Sequence, residues 1–164
     1  MRDALNILLD SYQSKGILVD TNILLLLIVG LADRSRISDH KRTKEFTHED
    51  FDILVQILDQ FKIRVTLPNI MTEAINLARQ TSDDLKTSCC AYVESLFGHF
   101  TEDYIESSKL ASLEEFITLG LTDAAILESA RDQYLVLTDD FKLAGTLTKA
   151  GVDVINFNHL RPYF

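Results

Sequence analysis

Short apolar runs rich in Val, Ile and Leu alternate along this chain with longer stretches in which apolar residues recur at helical spacing. That alternation is the pattern of an α/β fold built on a mostly parallel sheet. The runs predict four strands, at Gly16 to Val19, Lys62 to Leu67, Tyr134 to Thr138 and Val152 to Phe157. The periodicity between them predicts helices over Arg2 to Tyr12, Asn22 to Ala32, His48 to Phe61, Pro68 to Arg79, Ser82 to Phe100, Asp103 to Leu110, Asp123 to Asp132 and Asp140 to Ala150. Several end signals are physical: Thr47 with Asp50 resembles a helix cap, Pro68 suits a first helical turn, and Gly151 suits a helix stop before a strand.

Composition narrows this picture. A length of 164 residues with 46% hydrophobic positions suits one compact domain, expected to span residues 1–164. The most apolar run, Ile23 to Leu31, is nine residues long, too short for a membrane span and well suited to a buried helix. Met1-Arg2-Asp3 lacks the basic region and apolar core of a secretory signal, so a cytoplasmic protein without a membrane partner is expected. The two cysteines, Cys89 and Cys90, are neighbours in a helical stretch, where a mutual structural disulfide is disfavoured and a core role expected. His40, His48, His99 and His159 show no paired spacing, which leaves a zinc site little support. Phe46, Phe51, Phe61, Phe97, Phe100 and Phe116 fall where helix faces would pack on a sheet and read as core.

A net charge of −9 argues against a protein that coats phosphate backbones by long-range attraction. One segment departs from that balance. Asp33 to Phe46 is polar and basic, with Arg34, Arg36, His40, Lys41, Arg42 and Lys44 inside eleven positions. It reads equally as a solvated loop and as a substrate-contacting one, and Arg34, Arg36, Lys41, Arg42 and Lys44 are the candidate phosphate contacts.

Three aspartates share one context. Asp20 ends the run Ile17-Leu18-Val19 and precedes a helix; Asp140 closes Val136-Leu137-Thr138-Asp139-Asp140; Asp123 follows Gly120-Leu121-Thr122. In a parallel sheet the C-terminal strand ends share one edge, so these carboxylates should face one crevice. Each also has a plain reading as a helix cap. Glu73 does not: it falls in the second turn after Pro68, amid Ile70, Met71, Ala74 and Ile75, and its plain reading is a surface glutamate. Clustered carboxylates repel unless a cation joins them, and an all-oxygen donor set suits Mg²⁺ or Mn²⁺. Such an ion acidifies water for attack on phosphorus and offsets charge on phosphate oxygens.

The runs Leu18-Val19-Asp20-Thr21-Asn22, Thr72-Glu73, Leu119-Gly120-Leu121-Thr122-Asp123-Ala124-Ala125-Ile126 and Val136-Leu137-Thr138-Asp139-Asp140, in this order and at these separations, resemble a PIN domain from end to end. The resemblance implies a Rossmann-like three-layer α/β/α sandwich with a mostly parallel central sheet. It also implies Mg²⁺ or Mn²⁺ dependence and endoribonuclease activity, as in the VapC-type toxins. By the same resemblance Asp20, Glu73, Asp123 and Asp140 are the catalytic acids and metal ligands. Asp139 supplements or replaces Asp140, and Asn22 and Thr138 orient the acids. The substrate implied is RNA, expected single-stranded because a crevice admits a flexible strand more readily than the deep groove of an A-form helix. A toxin of this kind would have an antitoxin protein as partner. About a dozen residues before the first strand and the basic excursion at about 33–46 depart from the compact toxin pattern.

Two other readings compete. Asp20-Thr21-Asn22 after an apolar strand is similar to haloacid-dehalogenase-type phosphatases, but Asn22 stands where their general acid would be, and an amide cannot supply that proton. A non-catalytic PIN-like binding module is the other; it would gain by losing acids that repel one another. The C-terminal Asn158 to Phe164, with Arg161-Pro162-Tyr163, reads as a cover for a sheet edge or as a homodimer contact.

Overall fold

A computed structural model describes residues 2–161 of the chain. The C-terminal contact expected of Pro162, Tyr163 and Phe164 lies outside the described residues. In chain order the elements are α1 (Arg2–Tyr12), β1 (Ile17–Val19), α2 (Thr21–Asp33), a 3₁₀ helix (Arg34–Asp39), α3 (His48–Leu58), β2 (Arg64–Thr66), α4 (Pro68–Ala78) and α5 (Asp83–Phe97). They continue with β3 (Thr101–Glu102), α6 (Ser107–Ala111), α7 (Phe116–Ala130), β4 (Leu135–Thr138), α8 (Phe141–Lys149), β5 (Val154–Asn156) and a second 3₁₀ helix (Phe157–His159).

The five strands form one sheet in the order β3-β2-β1-β4-β5, every pairing parallel. β1 and β4 lie at its centre and are buried throughout, as parallel strands covered on both faces must be. Helices flank the sheet in a three-layer α/β/α sandwich, as expected. From β1 the chain builds outward through β2 to β3, then returns to place β4 on the other side of β1. The reversal falls between β1 and β4, where a sheet of this kind opens a crevice at its C-terminal edge.

α2 is apolar all round and its residues Ile23 to Gly30 are buried, the behaviour of a helix enclosed by others. Gly30 permits that enclosure: a Cβ there would stand 2.1 Å from the Phe51 ring of α3. Thr47 and Asp50 form a reciprocal capping box on α3, Pro68 opens α4, and Gly151 ends α8 with a φ of 79°. No described helix is long and apolar enough to cross a membrane.

Three expectations are corrected. The sheet has a fifth strand, Thr101–Glu102, where the sequence pattern predicts the junction of two helices. Both its residues are exposed, so no apolar run announces it. The helix expected over Asp103 to Leu110 is consequently shorter and later, at Ser107–Ala111. Of the two cysteines, only Cys89 is buried; Cys90 is exposed, and both are free thiols.

The basic excursion is a short helical stretch followed by turns, with Arg34, Lys41, Arg42 and Lys44 exposed. Arg34–Asp39 forms a 3₁₀ helix, and Ile37, His40, Thr43 and Phe46 are buried. His40 Nδ1 accepts from the Arg42 N–H at 3.2 Å, so the ring is the tautomer whose Nε2–H donates to the Leu77 carbonyl at 3.0 Å. Burial lowers its proton affinity, and the ring is neutral.

Candidate functional site

Register decides which acids meet. Val19 pairs with Leu137, so the next residues, Asp20 and Thr138, stand side by side at the C-terminal edge of β1 and β4. Asp20 is 6% exposed and caps α2, its Oδ1 accepting the Thr21 N–H at 2.5 Å. Its Oδ2 accepts the Thr138 hydroxyl at 2.6 Å. Burial pushes the Asp20 carboxyl up to about 7 against the pull of both hydrogen bonds, and the charges of Asp123 and Asp139 push the same way.

Past Thr138 the chain turns into α8 through the two remaining aspartates. Asp140 is the N-cap: its Oδ1 accepts from the N–H groups of Lys142 at 2.6 Å and Leu143 at 3.0 Å. Its own N–H donates to Thr138 Oγ1 at 3.0 Å, so one hydroxyl links both aspartates. Asp139 is half-buried, its Oδ1 accepting from Asn22 Nδ2 at 3.0 Å and its carbonyl from Asn158 Nδ2 at 2.8 Å. Burial raises its carboxyl; the Asn22 bond opposes this, the Asp140 charge adds to it, and Arg161 counters it.

Asp123 comes from α7. Gly120, with φ of 77° and ψ of −178°, kinks α7, so Asp123 falls in the first turn of the segment beyond the kink. This conformation is one that glycine reaches without strain. Burial lifts the Asp123 carboxyl to about 6; the charges of Asp140 and Glu73 add to this and that of Lys142 opposes it.

Glu73 projects from the second turn of α4, and its Oε2 accepts from two hydroxyls, Thr21 Oγ1 at 3.3 Å and Thr122 Oγ1 at 3.5 Å. Thr21 follows Asp20 and Thr122 precedes Asp123. Both contacts are long for hydroxyl–carboxylate bonds, and Glu73 is exposed; it lies beside the residues that adjoin Asp20 and Asp123. Asp20, Glu73, Asp123, Asp139 and Asp140 thus share one electrostatic neighbourhood, each acting on or responding to at least one other.

Several members of this neighbourhood are not singled out by the sequence reading. Thr21 and Thr122 flank motif acids, and that adjacency was their only signal. Lys142 lies two residues beyond the last motif, and Arg161 arrives from the far end of the chain, anchored to Asp50 at 2.9 Å and to the Glu45 carbonyl at 2.9 Å.

The donor set is all oxygen and suits a hard divalent cation. Among the described residues, no three His, Cys, Asp or Glu side chains stand together in metal-holding geometry. Mg²⁺ keeps several waters while taking one or two carboxylates directly, so such an ion does not need three protein ligands standing together. Two buried polar atoms at the same sheet edge, Thr66 Oγ1 at the end of β2 and Asn156 Nδ2 at the end of β5, have no partner among the described residues.

Of the basic candidates, Arg34 lies far from the acids. Asp20 caps one end of α2 and Arg34 caps the other, and a helix of thirteen residues separates its ends by about 20 Å. Arg34 pairs with Asp52 at 2.5 Å, Arg36 with Asp39 at 3.1 Å and with Asp84, and Lys44 loosely with Glu45 at 3.8 Å. Lys41 and Arg42 are exposed and, among the described residues, outside these pairs.

No family model matches this chain, and neither a curated protein nor a solved structure matches it.

Proposed function

We propose that this protein is a divalent-metal-dependent nuclease of PIN-domain type that cleaves phosphodiester bonds of single-stranded RNA. The observation that carries the reading is the position of Glu73. A helix cap explains Asp20 and Asp140 by themselves, but no capping need draws a glutamate from the second turn of α4 to the threonines beside Asp20 and Asp123. Acids from four segments of chain within one electrostatic neighbourhood, despite their repulsion, favour a cation-binding site over a scaffold.

Asp20, Glu73, Asp123 and Asp140 would hold Mg²⁺ or Mn²⁺, with Asp139 alongside. When bound, the ion supplies acidity to attacking water and charge to offset that building on phosphate oxygens. The chain's own residues do the rest. The Thr138 hydroxyl and the Thr21 N–H fix both oxygens of Asp20 and leave it no freedom to rotate away. Asn22 holds Asp139, and Thr21 and Thr122 steady Glu73. Lys142, whose charge reaches Asp123, would meet an anionic backbone there. The commitment of the Asn22 amide to Asp139 also speaks against the phosphatase reading, in which that position gives a proton to a leaving group.

The test is cleavage of a mixed RNA pool with Mg²⁺, with Mn²⁺ and with EDTA, by wild type and by Asp123→Asn. Cleavage is expected only with the ion and only in wild type. Cutting that survives chelation and the substitution alike overturns the mechanism. An antitoxin is sought in the same spirit, as a protein that co-purifies with the chain and abolishes its cleavage.

A further inference from the structure

On the Glu73 side of the acids, α4, the segment after β3, and α7 enclose an open groove of about 440 Å³. Its walls include Asn69, Glu73 and Asn76 from α4, Tyr104 and Ser107 from beyond β3, and Thr122 from α7. The volume lies within the range of small-molecule sites.

Three features say what enters it. Glu73 is the only charged residue among the described residues that line the groove, so a phosphate is repelled there and a neutral hydrogen-bonding group is not. Asparagine amides and hydroxyls offer donors and acceptors side by side, the complement of a base edge or a ribose. Tyr104 is 70% exposed at this groove, in the segment between β3 and α6, and its N–H donates to Asp103 Oδ1 at 2.9 Å, while Asp103 Oδ2 accepts the Ser129 hydroxyl of α7 at 2.5 Å. An exposed aromatic residue on a segment tied to α7 through Asp103 offers a stacking surface for an unpaired base.

Glu73 and Thr122 belong to the groove and to the acid cluster at once. A base seated against Tyr104 therefore lies next to the position where a phosphate would meet the carboxylates. We propose that this groove seats one unpaired base with its ribose, adjacent to the bond to be cut, and so sets the nucleotide preference of the enzyme. The proposal rests on the nuclease reading above, and the experiment separates the two.

The chain contains no tryptophan, so Tyr104→Trp introduces a single indole at the groove. This variant, titrated in EDTA with a short unstructured oligoribonucleotide, should show saturable quenching. Asn76→Ala or Asn69→Ala in that background should weaken binding about tenfold, a typical size for losing part of a base contact. Anisotropy of a labelled oligoribonucleotide on wild type and Asn76→Ala gives the same comparison without the indole. Mapping of cleavage sites for wild type and Tyr104→Ala with Mn²⁺ should show a relaxed preference at the nucleotide beside the cut. Metal-dependent cleavage with no quenching, with quenching indifferent to both asparagines, or with an unchanged site preference overturns the groove proposal and leaves the nuclease standing. Saturable, asparagine-dependent quenching without any cleavage upholds the seating of a base in the groove but overturns both the nuclease and the groove's role in choosing a cleavage site.

Discussion

The Thr138 hydroxyl donates to Asp20 Oδ2 at 2.6 Å, joining residues 118 positions apart in sequence at the ends of adjacent parallel strands. The same oxygen accepts the Asp140 N–H, so a single buried hydroxyl ties two acids together. Its bond to Asp20 holds that carboxyl below where burial alone would put it. Thr138→Val keeps the shape and removes the hydroxyl. It should destabilise the fold by about 1–3 kcal/mol, the usual cost of stranding buried polar groups, and should raise the titration midpoint of Asp20. Urea denaturation and carboxyl carbon NMR measure the two effects, and Thr138→Ser should recover most of both. A valine variant with unchanged stability and titration contradicts the assigned role.

The pH dependence follows from the sign of the shifts. Asp20 titrates at about 7 in the fold, above its ordinary value of 3.8, so folding favours the protonated form. Below that ordinary value both states hold the proton and no penalty exists. As pH climbs towards 7 the unfolded chain ionises first and stability falls, levelling off once the folded carboxyl ionises too. Asp123, at about 6, contributes in the same sense. His40, whose proton affinity is lowered by burial, has the opposite slope, losing stability as pH falls below its ordinary value. The difference between wild type and Asp20→Asn isolates the first effect. In EDTA the variant should exceed wild type by on the order of 1–3 kcal/mol at pH 8, with the advantage fading towards pH 4. Parallel stability curves for the two proteins would remove the argument for a strained, buried carboxylate.

How far the sequence announces this arrangement differs from residue to residue. The central strands are apolar runs, and the turns into α2 and α8 carry aspartates at their caps, so Asp20 and Asp140 are visible as strand-end acids. β3 is invisible because two exposed residues at a sheet edge need no apolar pattern. The helix break at Gly120 is marked only by a glycine inside an apolar stretch, and it is that break which sets Asp123 in a first helical turn. Arg161 belongs to the site's field through tertiary packing against Asp50 and Phe46, which no local pattern encodes. The basic excursion shows the reverse: its charges are plain in sequence, but Arg34 and Arg36 are matched by acids from distant segments, Asp52 and Asp84.

Metal binding has a readout independent of catalysis. If the acids hold Mn²⁺, the ion relieves their repulsion and stabilises the fold by about 2.7 kcal/mol at a hundredfold excess over its Kd. Thermal denaturation should show the midpoint of wild type rising with Mn²⁺ and that of Asp123→Asn rising far less. The response should weaken below pH 6, where protons compete for Asp20 and Asp123. Equal responses in the two proteins would place the ion somewhere else.

Asp139 and Asp140 can be told apart because they have different partners. Asp140 commits Oδ1 to the cap of α8, and its charge acts on Asp123, the acid that Glu73 also acts on. Asp139 commits Oδ1 to Asn22, and its charge acts on Asp20. Asparagine caps a helix nearly as well as aspartate, so Asp140→Asn should change stability by less than about 0.5 kcal/mol, whereas Asp140→Ala should cost about 1 kcal/mol. Charge removal at Asp140 takes a carboxylate from the side of the cluster where Glu73 and Asp123 meet. Calorimetry should therefore show Asp140→Asn losing at least about tenfold in Mn²⁺ affinity, a loss typical of disturbing a ligand or its orienting partner, and Asp139→Asn losing less. The reverse order would transfer the fourth ligand position to Asp139 and leave Asp140 as a cap alone.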